Sequence, residues 1–216
     1  MVSWDNARGK QPGNSRKEVK RIKLGNGDTK IRLVGDVLPR YVYWVVDKNG
    51  NKMPVECLQF DRETETFNPS AKDPFKDLAE DVYNEKPQFA YVCNVINRAD
   101  NDVALFDLRS TIYAQIVEYA KNPEYGSPAD ASNGYDLTIK KEKTGPLPQN
   151  VKYTVIPARS SKPLSEEEAA LELFELDKIF KRQTYDEQKK WLIENTHLFA
   201  GDAGDEFKEE GVDDLA

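Results

Sequence analysis

The sequence predicts a mainly β protein with accessory helices, built as a small and partly open barrel. Three observations predict it. Six or seven short runs are rich in β-branched and aromatic residues, one helical pattern is inserted between strands, and the remaining helical patterns gather near the C-terminus. An α+β sandwich is the alternative packing of the same elements. At 216 residues the chain fits one domain of ordinary size with appendages.

Taken in order, residues 1–18 are polar and basic, with Trp4 isolated, and read as a flexible arm. Residues 19–24 and 29–34 read as two strands joined by the turn sequence Gly25-Asn26-Gly27-Asp28. In the second, Lys30 and Arg32 alternate with Ile31 and Leu33, which predicts bases outward and aliphatics inward. The run from Tyr41 to Val46 is β-branched or aromatic throughout, and Asp47 to Asn51 turns it back into a pairing strand over 52–60. Residues 61–86 are polar and acidic, with a short helical piece near Phe75 to Tyr83, and read as an insertion.

Residues 88–97 are apolar on both faces, as an interior strand requires, and 103–108 follow after a turn at Asp100 to Asp102. Ser110 to Asn122 carries Ile112, Ile116, Val117 and Ala120 on one helical face and stops at Pro123. A second hairpin joins 135–143 to 151–157 around Thr144-Gly145-Pro146. Ser165 with Glu168 has capping-box spacing for a helix reaching Lys181, and Thr184 or Asp186 starts another that ends near Asn195. The expected organisation is an arm at 1–18, a barrel core at 19–163 with its insertion at 61–86, C-terminal helices at 164–198 and an acidic tail at 199–216.

Charge is polarised along the chain. The last sixteen residues hold seven acids and one base, nearly the whole formal charge of −7, whereas residues 1–40 hold ten bases and four acids. An acidic block dotted with Phe207, Val212 and Leu215 reads as a solvated interaction tail. Such a dipolar chain suggests a basic surface for a polyanion and a tail able to compete with that polyanion. No run of eighteen apolar residues and no apolar leader is present, so a soluble, cytoplasmic protein without membrane contact is expected.

Catalysis finds little support. The sequence lacks a Gly-rich phosphate loop, H-E-x-x-H and G-x-S-x-G, and its one histidine, His197, lies beside the tail. Cys57 and Cys93 stand far apart and read as small buried apolar residues, so no metal or other cofactor is expected. Binding finds more. A single-stranded nucleic acid needs cations along its backbone and flat faces for unstacked bases, and these strands carry both. The candidates are Lys30, Arg32, Tyr41, Tyr43, Trp44, Phe89, Tyr91, Arg98, Phe106, Arg109, Lys140, Lys152 and Arg159, with any one aromatic open to a core role instead.

The motifs K-I-R-L-V (30–34), Y-V-Y-W-V-V (41–46), F-A-Y-V-C-N-V-I-N-R (89–98), V-A-L-F-D-L-R-S-T-I-Y-A-Q-I (103–116) and Y-D-L-T-I-K-K (135–141) precede an acidic D-D-L ending. In that order they resemble the T4-type phage single-stranded DNA-binding, or helix-destabilising, proteins over residues 20–163 plus the tail. The resemblance implies an OB-fold core, a five-stranded, partly open barrel holding single-stranded DNA in a cleft of aromatics and bases. It also implies a basic arm for cooperative self-assembly along DNA, with Arg16, Lys17, Lys20 and Arg21 as candidates. The tail would recruit replication, recombination or repair proteins through Asp205, Glu206, Phe207, Glu209, Glu210, Asp213, Asp214 and Leu215. Members with a zinc subdomain carry a Cys/His cluster after the second strand pair; here Cys57 is followed by no His or further Cys up to Lys86, which implies a zinc-free loop. The expected function is sequence-tolerant coating of single-stranded DNA. The alternative is a protein-interaction or scaffolding module acting through the C-terminal helices and tail.

Overall fold

The computed structural model describes residues 19–78 and 82–199, so the basic arm and the acidic residues of the tail lie outside the described residues. Among the described residues the architecture is mainly β with accessory helices. The strands are β1 (Gly27–Leu38), β2 (Tyr41–Val46), β3 (Lys52–Glu56), β4 (Phe60–Asp61), β5 (Thr66–Phe67), β6 (Gln88–Phe89), β7 (Val92–Asn97), β8 (Asp102–Asp107), β9 (Leu137–Lys143) and β10 (Val151–Pro157). The helices are α1 (Ser110–Lys121), α2 (Glu166–Ala169), α3 (Leu176–Ile179) and α4 (Tyr185–Asn195). They fall into two compact units. One comprises residues 19–35, Asn94–Asp107 and Gln115–Phe174; the other comprises Asp36–Cys93, Leu108–Ala114 and residues 175–199.

The first unit is built on an OB-fold-like five-stranded sheet in the order β10-β9-β1-β7-β8, whose end strands β10 and β8 are not neighbours. Antiparallel pairing sets Ile31 opposite Leu137 and Thr29 opposite Ile139, and Val155 opposite Ile139 in turn. Paired residues share a face, so this register gathers Ile31, Leu137, Ile139 and Val155 on the buried side. The other side receives Lys30, Lys140, Lys152 and Ile156. Arg32 lies on that polar side by alternation but is only 1% exposed. Its Nη2 donates to the Asp130 carbonyl at 2.8 Å, because the loop after α1 closes over it. Gly134 makes that closure possible: a Cβ there would fall 2.6 Å from Arg32 Nη2 and 2.3 Å from the Asp130 oxygen.

Three expectations change in this unit. Residues 19–24 do not pair with β1; they run parallel beside β8, with Ile22 N to Leu105 O and Leu105 N to Lys20 O both at 2.8 Å. The expected helix from Ser165 does open on a capping box with Glu168, but it stops after Ala169. Asn94, 4% exposed, takes over the backbone of Phe174: its Nδ2 donates to Phe174 O and its Oδ1 accepts from Phe174 N, each at 3.0 Å. Those groups are thereby withdrawn from helical hydrogen bonding. The apolar run 88–97 divides into β6 and β7, because β6 joins a different sheet.

The second unit has a three-stranded sheet in the order β3-β2-β6 and a small β4-β5 hairpin. Register places Tyr43 opposite Val55 and Tyr41 opposite Phe89. The polar stretch expected as an insertion supplies that hairpin and a 3-10 turn at Pro74–Lys76, capped by the Asp73 carboxylate. Helix α4 starts on a capping box of Thr184 and Glu187. It is fastened by the Gln188 amide, which donates to the Glu56 carbonyl at 2.8 Å, and by Leu192, which is fully buried. Lys48 Nζ donates to the Glu194 carbonyl at 2.6 Å, which suits a cation at a helix C-terminus. Cys57 and Cys93 are both buried thiols.

Candidate nucleic-acid interface

The second unit concentrates aromatic rings. β2 contributes Tyr41, β6 Phe89, the β4-β5 hairpin Phe60 and Phe67, and α1 Tyr113. Tyr91 follows β6. Phe89 stacks on Tyr91 with centroids 4.0 Å apart and planes 17° apart. Tyr41 meets Phe60 at 4.7 Å and Phe67 edge-on at 4.8 Å, and Tyr91 meets Tyr113 at 5.0 Å. Phe60 and Tyr91 are 1% and 4% exposed and form the floor, whereas Phe67 is 47% exposed. Tyr41, Phe89 and Tyr113 are partly exposed. The result is a platform: buried rings fix partly exposed rings whose faces and edges can receive a planar base.

One carboxylate borders it. Tyr91 donates its hydroxyl to Glu65 Oε2 at 3.0 Å, and Tyr113 donates to the same oxygen at 3.3 Å. Burial pushes both phenols above their ordinary range, and the neighbouring Glu65 charge adds to the rise. Both therefore stay protonated donors at neutral pH. Arg109 lies exposed just before α1 in this unit. Arg40 donates from Nε to the Ala90 carbonyl at 3.0 Å and sets its guanidinium 3.9 Å over the Phe180 ring.

The other expected aromatics separate by environment. Tyr43 is 3% exposed and stacks on Phe75 at 4.0 Å, so its ring belongs to the core as placed. Its hydroxyl accepts from the Cys57 thiol at 3.5 Å, and burial drives its pKa far up. Trp44, on the opposite face of β2, is partly exposed with Lys52 Nζ 5.6 Å from its ring. Phe106 sits in the first unit at 1% exposure.

The expected cations fall mostly in the first unit. Lys30, Lys140 and Lys152 share the solvent side of its sheet by register. Lys30 lies 3.4 Å from Asp136, and Lys140 lies 2.9 Å from Glu142. The Lys140–Glu142 pair is exposed on both sides, so it is weak and can exchange its carboxylate for a phosphate. A cleft of about 550 Å³ in this unit is lined by Lys20, Arg21, Lys23, Lys30 and Arg98, with Asp28 and Asp100 among its acids. Arg98 is tied to Asp136 and Glu168, and Arg159 is exposed. The tail residues from Asp205 to Leu215 lie outside the described residues.

Phe67 and Tyr113 are members of the platform that sequence reasoning missed. Tyr113 lies within the apolar stripe of α1, between Ile112 and Val117 in helical angle, so its position reads as core from the pattern. Phe67 sits in a polar stretch that gives no cue. Among the described residues no cluster of His, Cys, Asp or Glu has the make-up of a metal site, and no helix is long and apolar enough to cross a membrane.

No protein-family model matches the sequence. A curated relative, named a probable ssDNA-binding protein, from Escherichia phage T5, is 34% identical over 152 residues. The aligned region covers 66% of this chain and 56% of that protein, so the chain spans little more than half the length of the relative it matches.

Proposed function

We propose that this chain is a sequence-tolerant single-stranded DNA-binding protein of phage type, coating transient single strands in replication, recombination or repair. The observation that carries the reading is the platform of Tyr41, Phe67, Phe89 and Tyr113, held in place by buried Phe60 and Tyr91. Partly exposed rings on a packed aromatic floor can stack unpaired bases, each contact contributing on the order of 1–3 kcal/mol. Support also comes from the similarity to the phage T5 protein, whose name describes binding and no catalysis. Membership of the T4-type family rests on the motif order alone.

Exposed cations neutralise phosphates in this reading: Arg109 in the second unit, and Lys30, Lys140, Lys152 and Arg159 in the first. Binding therefore weakens as salt rises. The site of action would be the host cytoplasm. The acidic tail would compete with DNA for the basic surface and, once displaced, recruit partner proteins through Phe207, Leu215 and the surrounding carboxylates. Deleting residues 201–216 is expected to tighten DNA binding at low salt; unchanged affinity would refute the competition. Binding itself is tested by titrating the protein with a labelled single strand and with its duplex, where saturable binding of the single strand is expected and binding of neither would refute the reading.

A further inference from the structure

We infer that Glu65 gives the aromatic platform a base preference, favouring bases that carry an exocyclic amine and disfavouring thymine. The inference rests on the single-stranded-DNA reading above. Glu65 ends the turn between β4 and β5, where Asp61 pairs with Thr66. Its φ of 53° lies in the left-handed region that residues other than glycine seldom adopt. The Asp61 carboxylate holds the turn, accepting from Glu63 N at 2.8 Å and Thr64 N at 2.9 Å. The Glu65 carboxylate is thus fixed beside the rings although it is exposed.

Its two oxygens differ. Oε2 already accepts from Tyr91 and Tyr113, and a carboxylate oxygen has room for about two donors. Oε1 keeps its acceptor capacity. The two donors are neutral phenols, so they orient the carboxylate without cancelling its charge. A phosphate is repelled from this side of the platform, which leaves base edges to face it. Cytosine N4, adenine N6 and guanine N2 each carry an amine that can donate to Oε1. Thymine's one donor on this edge, N3–H, is flanked by O4 and O2, so a carboxylate that approaches it meets a carbonyl oxygen on either side. Because Glu65 is exposed, the expected preference is modest, about three- to tenfold.

The test compares a dC and a dT oligomer of equal length with the full chain, by anisotropy, at slightly alkaline pH where dC does not self-pair. These pyrimidines differ in the amine or carbonyl at C4, in the proton on N3 and in the C5 methyl of thymine, and the second measurement isolates the amine. The expected result is tighter binding of dC by the wild type, a preference reduced to less than about twofold in Glu65→Gln, and a preference retained in Tyr113→Phe. A second measurement keeps the protein unchanged: an oligomer of 2-pyrimidinone deoxynucleotide, which lacks the amine, should lose the advantage of dC. Equal wild-type affinity for dC and dT overturns the inference, as does a preference that survives Glu65→Gln or removal of the amine. Binding of neither oligomer overturns the single-stranded-DNA reading itself.

Discussion

Arg98 donates to Asp136 through both Nε and Nη2, at 3.0 and 2.8 Å from the same carboxylate oxygen, and its Nη1 is bound to Glu168. All three side chains are less than one-fifth exposed. A guanidinium so engaged fastens the end of β7 to the start of β9 and to α2.

Acid should loosen that fastening. The Arg98 guanidinium holds the Glu168 carboxyl below the usual glutamate range, and the Ser165 N–H in the capping box lowers it further. A depressed folded pKa means a contribution fully present above the unfolded value, about 4.3, and lost as pH falls through the folded value. Glu168→Gln should therefore cost about 1–2 kcal/mol at neutral pH, with wild type and variant converging in acid. Denaturant unfolding at several pH values measures both; a gap that is constant with pH would contradict the assignment.

The platform predicts a separation of affinity from stability. Phe67 is 47% exposed, so Phe67→Leu should change stability by less than about 1 kcal/mol. Its single-strand affinity should fall by about five- to 150-fold, the equivalent of one stacking interaction. Phe89→Leu should behave alike in affinity. Phe60→Leu, at a 1% exposed site, should instead destabilise by about 1–2 kcal/mol. Thermal melts and anisotropy on the three variants distinguish floor from face, and Phe67→Leu with unaltered affinity would remove that ring from the binding surface.

The cations divide in the same manner. Lys140 and Lys152 sit on the solvent side of the sheet, and replacing both with alanine should flatten the slope of log affinity against log salt by about 0.7 for each phosphate that is no longer neutralised. Arg32→Ala removes a side chain only 1% exposed together with its bond to the Asp130 carbonyl. It should cost about 2 kcal/mol or more in stability and leave the salt slope unchanged. A steeply altered slope in Arg32→Ala would place that guanidinium at DNA.

The strands from Tyr41 to Val46 and the hairpin of β9 and β10 were legible because period-two patterning and turn residues agree locally. The capping box at Ser165 was legible for the same reason, while the last helix was legible with Thr184 and Asp186 both open as its start. Asn94 was not: its effect on Phe174, 80 positions away, depends on tertiary packing and leaves no local trace. Arg32 shows the limit of alternation, which gives the face of a strand but not the loop that later covers it. Tyr41 and Phe89 were candidates because they lie in aromatic-rich strand runs, while Phe67 joined them only through the pairing of β4 with β5. Register across an irregular, polar segment cannot be read from its residues.

The most direct test is an anisotropy titration of the full chain with a labelled single strand of mixed sequence, and with its blunt duplex, at low and moderate salt. The expected result is saturable binding of the single strand, much weaker binding of the duplex, and affinity that falls with salt. Equal binding of both would mean charge without stacking. No binding of either would contradict the account and shift the function to proteins that engage the C-terminal helices and tail.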